Sequence, residues 1–252
     1  MNDSMNGKVA VITGAGGDLG RETARMLHER GCKLVLLDRS ASLLDLTSEV
    51  CPGALPIVAD VTSTQDMSAA ARQAHQAYPK IDYLVAAAGI IGPVKSAIEL
   101  SESEWDTLFN INVKGCWLAC KEFMPSMIEN RAGAVVLFSS SAAVRGSRYL
   151  PAYAASKGAV TTLTKSLAMS YADHNIRVNC VCPGTIESRM ATQSFEDSPE
   201  GLAEREATMK SVIPLGRFGT AAEVAASVLF LLDDASAFTT GVALAIDGGR
   251  TA

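Results

Sequence analysis

The stretch V-A-V-I-T-G-A-G-G-D-L-G, residues 9–20, decides the fold. Residues 9–12 are apolar and have the length of a short buried strand. Four glycines follow within seven positions, Gly14, Gly16, Gly17 and Gly20, and an amphipathic pattern then runs over 19–30. A strand that passes through glycines into a helix gathers backbone N–H groups and the helix's positive end at one point. Such a point suits a pyrophosphate. The strict G-x-G-x-x-G spacing is absent, because Leu19 stands where the third glycine would fall. The turn also carries an acid, Asp18, where a negative ligand would arrive.

Working outward, the same rhythm repeats. Strand-like runs cover 9–12, 34–37, 55–58, 83–86, 134–138, 178–181 and 242–246. They are nearly continuous in apolar residues, as strands buried on both faces should be. Amphipathic segments lie between them near 19–30, 64–77, 104–129, 152–172 and 221–232. Alternation of this kind predicts an α/β fold: one doubly wound sheet of about seven parallel strands with helices on both faces. Residues 1–252 are expected to form a single domain. The one irregular stretch is 187–214, polar and holding Pro199 and Gly201. A long excursion there is expected as a lid over a substrate loop, with a tolerated surface insertion as the alternative.

Composition narrows the function classes. With 48% hydrophobic and 19% charged residues, the 252-residue chain has an ordinary globular balance. A net charge of −5 argues against a general attraction to nucleic acid or to an anionic membrane. No stretch approaches the roughly 20 apolar residues of a membrane helix, and no leader is visible, so a cytoplasmic protein is expected. Cys32, Cys51, Cys116, Cys120, Cys180 and Cys182 lack nearby histidines. They are expected to be buried thiols, and no metal site is expected.

Two further groups of residues carry chemistry. The second strand ends in Asp38-Arg39, about 20 residues past the glycine turn. An acid there can accept adenosine ribose hydroxyls and repel a 2′-phosphate, which favours NAD over NADP. Arg39 argues the other way, and a plain strand end is the alternative for both. The third strand also ends in an acid, Asp60. Tyr153 and Lys157 sit i, i+4 at the start of an amphipathic pattern and so share one face. A nearby ammonium stabilises a phenolate, which would draw the tyrosine pKa of about 10 toward neutrality. Ser140, just after the 134–138 run, could hydrogen-bond a substrate oxygen.

Together these features resemble the short-chain dehydrogenase/reductase family over nearly the whole chain. Thr13-Gly14 with Gly17, Asp18, Leu19 and Gly20 is similar to its glycine-rich turn, with Asp18 in place of a glycine. Asp60-Val61 looks like its adenine-contacting pair. Ala86-Ala87-Ala88-Gly89 stands where the family has N-N-A-G. Asn112, Ser140, Tyr153 and Lys157 match its catalytic positions. Pro183-Gly184, Ile186 and Ser188 match the segment that meets the nicotinamide, with serine for threonine.

The resemblance implies a Rossmann-type fold and hydride exchange between a nicotinamide cofactor and a secondary alcohol or its ketone. Tyr153 would move the proton and Ser140 would steady the oxygen. Lys157 would hold the nicotinamide ribose, and Asn112 would support a water chain. Tyr153 and Lys157 thus count among the cofactor contacts, with Gly14, Gly17–Gly20, Asp38, Arg39, Asp60, Val61, Ala88 and Gly89. The resemblance also implies a homotetramer joined through 104–129, 152–172 and the last strand.

The alternatives are an NADPH-dependent 3-oxoacyl reductase and a dinucleotide-binding protein without turnover. Substrate choice is expected from 142–152 and 187–212, with Arg145, Arg148, Tyr149, Leu150, Arg189, Met190, Phe195 and Met209 as candidates. For Asp18, the expected role is a helix N-cap, its carboxylate turned from the pyrophosphate and its charge offset by Arg21.

Overall fold

The computed structural model describes residues 4–197 and 202–252. These residues form one parallel sheet in the order β3-β2-β1-β4-β5-β6-β7. The strands are β1 (Val9–Thr13), β2 (Lys33–Asp38), β3 (Leu55–Val58), β4 (Tyr83–Ala86), β5 (Gly133–Phe138), β6 (Ile176–Pro183) and β7 (Ala243–Ile246). Strand order reverses between β1 and β4, which pair from Ala10↔Tyr83 to Thr13↔Ala86. In open α/β sheets that reversal opens a crevice at the carboxyl ends of the strands, where ligands sit.

Alternate residues of each central strand feed two cores. Val11, Val35, Leu84, Val135 and Val178 pack on α3 (Thr64–Ala77), α5 (Gly115–Asn130) and α7 (Pro151–Tyr171). Ile12, Leu36, Val85, Val136 and Val181 face α1 (Asp18–Glu29), α2 (Ala41–Val50) and α10 (Ala221–Leu232). Fully buried Leu27 on α1 and Phe123 on α5 contribute about 1.5–3 kcal/mol each by removal from water. The expectation of burial on both faces fails at the sheet edges. In β3, Val58 is 60% exposed, because an edge strand has one neighbour and is less fully covered.

Two segments differ from the sequence reading. The 104–129 pattern is broken into α4 (Glu102–Phe109), a π-helical turn over Asn110–Lys114, and α5. A Ser101/Glu104 capping box starts α4 two residues before the expected onset. The stretch expected to be irregular carries α8 (Arg189–Glu196) and α9 (Leu202–Ser211); Pro199 and Gly201 lie outside the described residues. A short α6 (Ala142–Arg145) precedes α7. All six cysteines are buried thiols, none of them in a disulfide. Among the described residues no helix is long and apolar enough to cross a membrane.

Candidate active site

Two cavities meet at the carboxyl edge of the sheet. The larger, of about 520 Å³, runs over the glycine-rich turn. Gly14, Gly17, Asp18, Leu19, Gly20, Asp38, Arg39, Asp60, Val61, Ala88, Gly89 and Ser188 all line it, as the sequence reading expects of cofactor contacts. The smaller, of about 190 Å³, is lined by Ser140, Tyr153, Lys157, Pro183, Gly184 and Ile186. Leu19, Ala87, Gly89, Ser188 and Met190 border both.

The turn has the shape a dinucleotide needs. Gly14 has φ +67°, and a Cβ there would meet Ala88 Cα at 2.6 Å, so only glycine lets the β1 and β4 loops touch. The Thr13 hydroxyl accepts the Ala88 N–H at 3.4 Å, and the Thr13 carbonyl accepts the Ala87 N–H at 3.2 Å. These bonds join the strand ends although Ala87 has no polar side chain. Asp18, Leu19 and Gly20, the first residues of α1, line the cavity, and the first amides of a helix have no intrahelical acceptor. An anion there would meet several donors at once.

Along the larger cavity, Asp38 accepts the Gly16 N–H and the Ser40 N–H, each at 3.0 Å. Both bonds fix the carboxylate at the cavity wall, and lone pairs remain for ribose hydroxyls. Asp60 accepts the Thr62 N–H at 2.8 Å and its hydroxyl at 2.7 Å. These bonds, with the nearby Arg39 charge, hold Asp60 below the usual carboxylate range. Asp60 therefore stays ionised and offsets part of the charge of Arg39.

Pro151 at the first helical position starts α7 with a suitable backbone angle, and one turn on, Tyr153 and Lys157 share a face. Ser140 follows β5 and lines the same cavity as Tyr153, while its Oγ accepts the Ala142 N–H at 3.1 Å. The Lys157 ammonium lies 5.7 Å from the Tyr153 ring centre and donates to the Phe138 carbonyl at 2.8 Å. Burial pushes the Lys157 pKa down to about 8. Burial also raises the Tyr153 phenol above its ordinary value, with Ser140 working against the rise. The direction is opposite to the lowering expected from the ammonium: burial is the largest cause of the shift, and Lys157 is not among its causes.

Asn112 lines neither cavity. It sits 1% exposed in the π turn, where its carboxamide holds Ile90 and donates to Ser156 Oγ at 3.1 Å. A Cβ on Gly89 would lie 3.1 Å from Asn112 Oδ1 and 3.2 Å from Lys157 Nζ, so this glycine lets the two approach.

Asp18 is not the cap the sequence suggests. Gly17 is the N-cap of α1, and no side chain caps it. The Asp18 carboxylate instead accepts Arg189 N–H at 2.8 Å and Arg189 Nε–H at 2.9 Å. Arg21 does not offset the charge; it donates to the Gly16 carbonyl at 3.1 Å. Of the expected substrate residues, Arg145, Tyr149, Leu150, Met190, Phe195 and Met209 line the smaller cavity. Arg189 is held by Asp18, and Arg148 lies over the Tyr149 ring at 5.2 Å. Thr62 and Ile90 beside the larger cavity, and Arg250 beside the smaller one, were not foreseen from the sequence, and Met190, expected as a substrate residue, lines both cavities. Thr62 directly follows Asp60-Val61 and could have been found from that pair. Arg250, which donates to Thr185 Oγ1 at 3.0 Å, gave no local signal.

A family model described as enoyl-(acyl carrier protein) reductase matches residues 14–251. The chain belongs to the short-chain dehydrogenase/reductase family. It is 38% identical to 2-(S)-hydroxypropyl-CoM dehydrogenase 3 of Xanthobacter autotrophicus over 100% of both chains. It is also 38% identical to the 3-oxoacyl-[acyl-carrier-protein] reductase of Thermotoga maritima, covering 97% of this chain and 98% of that one. Among solved structures of this short-chain dehydrogenase/reductase type, levodione reductase superposes with a TM-score of 0.94 at 33% identity, covering 98% of each chain. The relatives are oxidoreductases, and the seven-stranded Rossmann-type sheet is theirs as well.

Proposed function

We propose that this protein is an NAD-preferring dehydrogenase that interconverts a small secondary alcohol and its ketone. One observation carries the reading. Ser140, Tyr153 and Lys157 line a cavity that shares a wall with the glycine-lined one, so a substrate oxygen and a dinucleotide would meet there. The dinucleotide supplies the hydride acceptor or donor when bound. Pro183, Gly184, Ile186 and Ser188 would flank its nicotinamide end, and Asp38 its ribose end.

The chain's own groups handle the proton. The Tyr153 hydroxyl gives a proton to the ketone oxygen in reduction and takes one from the alcohol in oxidation. Ser140 donates a hydrogen bond to the same oxygen and steadies its developing charge. Lys157, held by Phe138 O, keeps a positive charge beside the phenol and holds the ribose. Asn112 fixes the loop against which Lys157 packs.

Asp38 supports NAD, because a 2′-phosphate would bring two negative charges against a fixed carboxylate. Arg39 is the observation that favours the other reading, an NADPH-dependent 3-oxoacyl reductase, although Asp60 offsets part of its charge. A panel of alcohols and ketones with NAD(H) and NADP(H), read by absorbance in both directions, tests both. Turnover with neither cofactor would reduce the protein to dinucleotide binding alone. Assembly as a homotetramer belongs to the same proposal. Half-exposed Trp105 and Trp117 on α4 and α5, and fully exposed Phe238 near β7, support it, and light scattering tests it.

A further inference from the structure

The Asp18–Arg189 contact joins residues 171 positions apart. Two hydrogen bonds make it, and a third ties Arg189 to the same turn. Asp18 accepts the Arg189 backbone N–H and the guanidinium Nε–H, and Arg189 Nη2 donates to the Gly16 carbonyl at 3.0 Å. Arg189 is the first residue of α8, so the bonds fasten the start of that helix to the glycine-rich turn.

Elsewhere α8 packs against α9, with Ala191 and Met209 against a small apolar cluster. Phe195 is the one buried residue of α8, and it packs in that cluster with Ile213 and Phe218, apart from the two main cores. Ser188 caps the helix by accepting the Ala191 N–H at 3.2 Å, a bond internal to the segment. The helix is thus anchored toward its far end by Phe195 and α9 and at its near end by Asp18. The near end matters most for chemistry, because Ser188 and Met190 border both cavities and face Leu19 across their junction.

We propose that Asp18 is a positioning residue for the substrate lid. Its carboxylate draws the first turn of α8 onto the phosphate turn and thereby sets the wall between the two cavities. The contact also neutralises the acid, so an arriving pyrophosphate meets an ion pair and not a bare carboxylate. A glycine at position 18 could do neither. The idea rests on the dinucleotide reading for its consequence in catalysis, but the latch itself is a property of the ligand-free chain.

Hydrogen–deuterium exchange of the full-length, ligand-free protein tests the latch directly. Asp18→Ala should speed exchange of the α8 amides about three- to tenfold, the range expected when one charged contact is removed. Amides of α1 beyond its first turn and of the central strands should not change. Arg189→Ala should have a smaller effect, since its backbone N–H remains, and should add little in the Asp18→Ala background. Salt should speed α8 exchange in the wild type and not in Asp18→Asn, because Arg189 is 58% exposed and screening reaches the pair. In turnover, Asp18→Ala should raise the KM for the carbonyl substrate by more than it lowers kcat. Unchanged α8 exchange in Asp18→Ala, or fully additive effects of the two substitutions, would overturn the proposal. Failure of the wild type to bind NAD in calorimetry would overturn the dinucleotide reading alone.

Discussion

Asn112 and Ile90 exchange two hydrogen bonds, Ile90 N–H to Asn112 Oδ1 and Asn112 Nδ2–H to Ile90 O, both at 2.9 Å. The side chain completes the loop after β4 as a neighbouring strand would. Asn112→Ala should therefore destabilise the fold by about 1–3 kcal/mol, since two partly buried backbone groups lose their partner. Urea unfolding reads this. A change below about 0.5 kcal/mol would mean that water replaces the carboxamide.

Tyr153→Phe should lower kcat by about 10²–10⁴-fold, the usual weight of a positioned acid–base group. NAD affinity by calorimetry should stay within about threefold, because the ring is retained and only the hydroxyl is lost. Full activity in this variant would sink the catalytic assignment.

Lys157 gives a pH signature. Its folded pKa of about 8 lies below the unfolded value near 10.5, so between these limits the unfolded chain binds more protons. Stability from this group then rises with pH across that window, and the cost of burying the charge is felt in full below it. Compared with Lys157→Met, the wild type should gain up to about 3 kcal/mol between pH 8 and pH 10.5. Parallel stability–pH curves for the two proteins would contradict the depressed value.

Asp38→Ala should shift preference toward NADPH by roughly tenfold or more, about 1.4 kcal/mol, through loss of like-charge repulsion. It should also weaken NADH binding, because Gly16 N–H and Ser40 N–H lose their acceptor. The ratio of kcat/KM with the two reduced cofactors is the measurement. An unchanged ratio would assign the preference elsewhere.

The sequence exposed whatever depended on local spacing. Central strands were readable because both faces of β1, β4 and β5 are buried and so must be apolar. Tyr153 and Lys157 were readable because four residues of helix place them together. The role of Asp18 was not, since its partner lies 171 residues away and a surface arginine in a polar stretch carries no mark of its target. The π turn was hidden for a different reason. Its residues Asn110–Lys114 continue the apolar pattern of a helix while the backbone takes one residue too many for an α-helical turn.

That extra residue acts as a phase adjuster. Each residue of an α-helix turns the chain by about 100° and advances it about 1.5 Å. Removing one residue from 110–114 would let α4 run into α5 without interruption. Everything on one side would rotate against the other by about that angle. Asn112 faces Ile90 while Phe123 and Met127 on α5 face the sheet, and an uninterrupted helix could not satisfy both directions at once. The irregular turn thus lets one long segment serve two clients, the loop beside the candidate site and the hydrophobic core. A single-residue deletion there is a sharper probe of their geometric independence than any side-chain replacement.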